Sequence, residues 1–320
     1  MTPEELVSDI GSLISLPRAY HRINEMLDDP RYGTADIGKV IAHDPALTAR
    51  LLRMVNSAYY NFPSKIDTVP MAINVLGTRA LRDLVLATSV ASAFANISTH
   101  LVDVADFWHH SIYCGILSRL LGKRFQQERY EQLFVAGLLH DLGKLVIYLR
   151  LPDQAALILT RFARSDRPLY LLEQEELGFD HSQVGAALLR GWELPELFVE
   201  VAACHHALEL SAAYRTEACL VHVANALTKK VEPGHKVKLD FGEVPPLHAI
   251  ATERLSITAE LVDELRLEAD VQSIEVFSTL FSGTALASCA SRAPARSPSR
   301  ERDEARWASL YGNSSPNAAR

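Results

Sequence analysis

The chain has 320 residues, of which 48% are hydrophobic and 22% charged, so it has ample material for one large core or two coupled ones. Its formal net charge of −7 opposes the counterion release that drives nucleic-acid binding, and no DNA partner is expected. Four cysteines, Cys114, Cys204, Cys219 and Cys289, form no Cys-x-x-Cys pair, which excludes a disulfide scaffold and points to reduced, buried thiols in a cytoplasmic protein.

Met1 to Glu5 is acidic and lacks the basic start of a signal peptide. Further on, Asp44 fits a helix N-cap and Pro45 the first helical position, where a missing N–H costs nothing. Leu47, Leu51, Leu52 and Val55 then form an apolar stripe, with Arg50 and Arg53 expected on the other side. Two short helices joined at His43-Asp44 suggest a helix-turn-helix, but the charge argues against that use. Arg50, Arg53, Arg79 and Arg82 are read as a solvated face. Asn56-Ser57 is suited to bonding backbone or a neighbouring helix end. Gly77 ends the helix begun near Val69, and Thr78 can cap the next. The longest weakly polar stretch, Leu84 to Ile97, is too short to span a bilayer, so no membrane partner is expected.

His110 follows Phe107-Trp108 near the start of a helix. Arg119 and Arg124 are expected to be solvated residues at a helix end. The most informative stretch is Leu138-Leu139-His140-Asp141-Leu142-Gly143-Lys144, because neither His nor Asp helps an apolar core unless something satisfies it. Lys144 lies three residues after Asp141 and four after His140, and so shares their face. His181 opens a helix after Asp180, Trp192 to Pro195 marks a turn, and Cys204-His205-His206 closes an apolar run. Lys236 to Val244 is read as a loop. His248 to Phe281 has helical apolar spacing and should pack back on the preceding half, and residues 286–320 should form a disordered tail. Neutral imidazole and ionised carboxylate together suit a borderline divalent metal such as Fe, Mn or Zn.

The order of these motifs resembles the HD superfamily of metal-dependent phosphohydrolases: Trp108-His109-His110-Ser111, the His140-Asp141 pair, then His181 and His205-His206. The superfamily ends with an Asp in an Ala-Asp dipeptide, where this chain has Ala224-Asn225, and Asn225 offers only a neutral carbonyl oxygen. The cyclic-di-nucleotide branch has a Gly-Tyr-Pro segment after its His-His pair, which this chain lacks. The block from Ile41 through Asp44-Pro45 to Asn56-Ser57-Ala58, with Leu16-Pro17 and Ile66 to Gly77, is similar to the HDOD family, the HD-related output domains of bacterial signalling proteins. That resemblance implies an all-α, two-lobed, multi-helix fold and a regulatory module that commonly lacks hydrolase activity. It assigns 10–210 to an HDOD domain, with an N-terminal helical lobe to about 100 and an HD-like lobe from about 101. Residues 211–285 would complete the HD-like lobe, with no receiver, cyclase or DNA-binding module expected beside it.

Three functions follow from the resemblance and the residues. The first is a non-enzymatic regulatory domain in bacterial signal transduction, binding a signalling protein partner and a nucleotide ligand, with the surface between its lobes as the binding place. The second is a weak metal-dependent phosphohydrolase acting on a nucleotide or cyclic di-nucleotide. There His110, His140, Asp141, His181, His205, His206 and Asn225 would supply metal ligands, and Lys144 would steady a phosphate oxygen. The third is a metal-binding sensor without turnover.

Overall fold

The computed structural model describes residues 1–8, 16, 18–95, 97, 99–228, 246–284 and 286–287. The loop expected at Lys236 to Val244, Cys289 and all but the first two residues of the expected tail lie outside these. Among the described residues every α or β element is a helix, as the all-α expectation requires. After α1 (Pro3–Ser8), the first lobe contains α2 (Arg18–Asp28), α3 (Thr34–Ala42), α4 (Pro45–Val55) and α5 (Val69–Phe94). The second contains α6 (Val104–Arg124), α7 (Tyr130–Leu139), α8 (Leu142–Arg150), α9 (Pro152–Phe162), α10 (Leu169–Leu177), α11 (His181–Gly191), α12 (Glu196–Cys204) and α13 (Arg215–Thr228). Two further helices, α14 (Ala249–Arg254) and α15 (Ala259–Leu280), follow.

Local signals explain most boundaries. The Asp44 carboxylate accepts from Leu47 N–H at 2.9 Å and Pro45 opens α4, so one of the orphan donors of the first turn is satisfied and another does not exist. Asn56 then clamps the chain after α4: its amide donates to Leu52 O and Ile66 O and its carbonyl accepts from Ile66 N–H, all at 2.7–2.8 Å. α5 is broken at Gly77, whose φ of 82° lies where side-chain-bearing residues are disfavoured. Beyond the break, Leu81, Leu84, Val85, Ala87, Val90 and Phe94 are buried, and α5 packs on α7.

α6 is buried nearly all round from Trp108 to Gly122, as a central core helix must be. Its closest neighbour is α7. A Cβ on Gly115 would meet Phe134 O at 2.6 Å, and one on Gly137 would meet Gly115 Cα at 2.7 Å, so the two backbones touch where neither residue has a side chain. α15 lies along α6 and also reaches α4 and α5, which confirms that the last helical section packs back. Phe94, Trp108 and Phe281, from α5, α6 and the end of α15, share ring contacts with centroids 5.3–6.4 Å apart. One continuous core therefore joins both lobes. α1 packs not on its neighbours in sequence but on α11 and α8.

Two arginines depart from the solvated placement expected of them. Arg50 is 8% exposed and reaches Ser92 of α5 at 3.4 Å. Arg119 sits in the buried stretch of α6, 6% exposed, where it donates through Nε and Nη2 to both oxygens of Glu131 at 3.0 and 2.9 Å. A guanidinium can be buried in this way when a carboxylate matches its planar fork. Leu84 to Ile97 is also not the most apolar segment. Tyr130–Arg150 is long and apolar enough to cross a membrane by composition, but 83% of that window is buried inside the fold.

Asp83, on the inner face of α5, is 5% exposed. Burial pushes its carboxyl up to about 7 from an ordinary 3.8, against the opposing pull of the Gln132 amide and Arg82. A carboxyl that holds its proton better in the fold than in the unfolded chain gives stability that is fully present at acid pH and lost as pH rises through about 7. Asp83→Asn should therefore raise Tm at pH 8, with about 4 kcal/mol as an upper bound on the gain. The difference from wild type should shrink steadily toward pH 5 in thermal melts.

Candidate metal centre

The ends of three helices and a fourth helix, α6, bring four histidines around one carboxylate, with a fifth, His206, against one of them. His140 is the C-cap of α7, and its Nδ1 donates back to Gly137 O at 2.7 Å. His205 is the C-cap of α12, and its Nδ1 donates to Ala202 O at 2.8 Å. A carbonyl can only accept, so both rings carry their proton on Nδ1 and turn Nε2 inward. His140 Nε2 lies 3.2 Å from Asp141 Oδ2, and His205 Nε2 lies 3.6 Å from Asp141 Oδ1. His110, in α6, brings Nε2 to 3.3 Å from Asp141 Oδ2.

His181 arrives from the start of α11, where Asp180 caps the helix by accepting from Ser182 and Gln183 N–H. Its Nε2 lies 3.3 Å from Asp141 Oδ1 and 3.0 Å from His206 Nε2. On its other side, Nδ1 meets Glu173 Oε2 of α10 at 2.5 Å, and the same oxygen accepts from His181 N–H at 2.9 Å. A carboxylate behind an imidazole fixes its orientation and raises its basicity, which is how ligating histidines are commonly supported. Glu173 was not among the residues singled out from sequence. It stands among the acidic residues of Glu173-Gln174-Glu175-Glu176, and only its burial, at 1% exposed, distinguishes it.

Lys144, on the first turn of α8, places Nζ 2.5 Å from Asp141 Oδ2. Burial works against charge on Asp141, yet His140 and Lys144 hold its carboxyl well below the usual range. Burial keeps His140 and His205 on the neutral side, His205 well below the ordinary imidazole value. At His181 burial is outweighed by Glu173 and Asp141, which push the ring up to about 9.

Asp141, His140 and His205 have no exposed surface, and His181 has 1%. His206 is half-buried and stacks on Tyr170 at 4.4 Å between centroids. The donor atoms fall into two groups, His110–His140–Asp141 and His181–His205–His206, each with all atoms within 4.8 Å of one another. His140 Nε2, His205 Nε2 and Asp141 Oδ1 are buried and have no hydrogen-bond partner in the protein. Inward-facing imidazole lone pairs beside a carboxylate oxygen are the donor set of a divalent cation, and the residues fit one. Asn225, on α13, is 3% exposed, and its Oδ1 is likewise buried with no hydrogen-bond partner in the protein. His109 faces away from the cluster, stacked on Phe277 at 3.8 Å.

A family model for the HDOD domain matches residues 13–208. The chain belongs to the HDOD family. Solved structures agree with the HDOD fold. An HDOD domain protein of unknown function from Geobacter sulfurreducens superposes with a TM-score of 0.69 at 22% identity, covering 88% of this chain and 98% of its own. A protein from Shewanella amazonensis SB2B, provisionally named a phosphohydrolase, gives 0.66 at 25% identity, covering 86% and 97%. A curated relative from Treponema pallidum, described as uncharacterized, is 25% identical over 200 residues, or 62% of this chain. The chain spans only 38% of that relative's length.

Gly143 sets the distance between α8 and α11. A Cβ there would run into the carbonyl oxygen of His181 and lie 2.6 Å from Gly185 N. Gly143→Ala should destabilise the protein by about 3 kcal/mol or more, read from urea unfolding, because backbone on both sides would have to move. Glu173→Gln keeps the shape of the side chain but removes the charge behind His181. It should weaken divalent-metal affinity by about tenfold or more in a competition titration with a chromogenic chelator.

Proposed function

We propose that this chain is a non-enzymatic regulatory module of bacterial signal transduction, and that its His–Asp centre holds a divalent ion for structure or sensing rather than turnover. The observation that carries this proposal is the state of Asp141. It is the one carboxylate that the Nε2 atoms of the cluster face among the described residues, it has no exposed surface, and it is ion-paired with Lys144. Hydrolysis assisted by two metals needs enough anionic ligand to hold both ions and an open position for the attacking water. One shared carboxylate, partly neutralised by an ammonium, falls short of that. His110, His140 and Asp141 would hold the ion, with His181 and His205 facing the second oxygen of the carboxylate. When bound, the ion would tie α6 to the α7–α8 junction through His110, His140 and Asp141.

The module would pass its signal by contact with a protein partner, in a reducing cytoplasm. Cys114, Cys204 and Cys219 are buried and in no disulfide, and burial pushes the Cys204 thiol up to about 11, which disfavours a thiolate beside His205. A weak phosphohydrolase is the second reading. The feature that favours it is the rim formed by half-buried His206 and by Lys144, whose side chain is 20% exposed.

Protein purified without chelator should carry near-stoichiometric divalent metal by elemental analysis, and Asp141→Ala should carry none. Both should leave nucleotides and cyclic di-nucleotides unhydrolysed in a phosphate-release and chromatographic screen. Metal-dependent turnover by the wild type that is absent from Asp141→Ala would overturn the non-enzymatic assignment.

A further inference from the structure

A second site lies away from the His–Asp centre. A cavity of about 530 Å³ opens where the turn after α4, the C-terminal half of α6 and the middle of α15 meet. Its walls include Tyr59, Tyr60, Arg119, Lys123, Glu268 and Gln272, none of which touches the metal centre. The volume is within the range of small-molecule sites.

The chemistry of the walls is mixed in a specific way. Tyr60 supplies an aromatic ring, already aligned by stacking on Phe62 with 4° between the planes. The Arg119 guanidinium is fixed 4.2 Å from the Tyr59 ring centroid, and its Nε and Nη2 are committed to Glu131, which leaves Nη1 without a protein acceptor. Lys123, one turn further along α6, is exposed and makes no ion pair. Across the cavity on α15, Gln272 Nε2 donates to Glu268 Oε1 at 2.9 Å. Gln272 is 4% exposed, and its Oε1 is buried with no hydrogen-bond partner. A buried amide oxygen left unsatisfied costs free energy, and a turn of the Gln272 amide toward the cavity it lines would let a ligand donor satisfy it.

We infer that this cavity is a guanine-nucleotide site. The base would lie against Tyr60 with its adjacent N–H donors on the Glu268 carboxylate and the Gln272 amide oxygen, and the phosphate would face Lys123 and Arg119. Two neighbouring acceptor groups, a carboxylate and an amide oxygen, match the adjacent N–H donors that guanine offers from neighbouring nitrogens, where adenine has a ring acceptor beside its amino group. The inference deepens the assignment of the chain as a signal-receiving module and rests on it for biological sense, while the binding itself is separable from the metal centre.

The test is calorimetric titration of the full-length protein with GMP, AMP and guanosine. GMP should bind saturably, with AMP and guanosine each weaker by about tenfold or more. Lys123→Glu, an exposed change that should leave the circular dichroism spectrum intact, should weaken GMP by about tenfold and leave guanosine unaffected. Gln272→Leu should weaken GMP and guanosine together. Protein stripped of divalent ions by a chelator should bind GMP as untreated protein does, so that failure of the metal assignment and failure of this one are distinguishable. No saturable GMP binding at millimolar concentration, equal binding of AMP, or indifference to either cavity variant would each overturn the site.

Discussion

Asp141 carries a negative charge with no exposed surface, and much of the second lobe is arranged to answer it. An isolated carboxylate taken out of water costs several kcal/mol even after relaxation, so something must compensate at short range. Lys144 does so from the first turn of the helix that Asp141 precedes, and the imidazoles converge from α6, α7, α11 and α12. Helix ends make this convergence possible. His140 and His205 each occupy a C-cap, where the carbonyl of the last turn anchors Nδ1 and leaves Nε2 to point at the charge. His181 uses the opposite kind of end, a start capped by Asp180, with Glu173 behind it.

The parts of this arrangement legible in the sequence are those written locally. His140-Asp141 is conspicuous because two polar residues interrupt an apolar run, and Asp44-Pro45 and Gly77 mark their boundaries through one-residue chemistry. The later histidines fall into place because each lies beside a helix-end signal. What could not be read depends on pairs distant in the chain. Arg119 resembles any solvated arginine until Glu131, across a turn, and Tyr59, from the other lobe, enclose it. Glu173 looks like its acidic neighbours until the loop to His181 folds it inward. Tyr130 to Arg150 hid its apolar character because His140 and Asp141 divide it, and α1 gives no sequence sign that it will pack on α11 and α8.

The α6–α7 pair organises both ends of the second lobe. The two helices touch backbone to backbone at Gly115 and Gly137, so neither can slide past the other without steric conflict. At one end they bring His110 against Asp141, just beyond α7, and at the other they bring Arg119 against Glu131. His110 and Arg119 are nine residues apart on α6, roughly 14 Å along a rigid rod. The buried ion pair at the far end joins Tyr59 of the first lobe to the same rod that carries His110. One rod therefore fixes the place of both groups, His110 at one end and Arg119 at the other.

The tight approach at Gly143 has a consequence for how such chains are recognised. Two residues after Asp141, the chain has no room for a side chain because α11 begins against it, and this holds whether or not an ion is bound. A descendant that lost every ligand would still be under pressure to keep that glycine and the apolar residues around it. Persistence of the Leu-Gly segment in a distant copy thus records how two helices meet, and inheritance of chemistry must be judged from the histidines and the carboxylate instead.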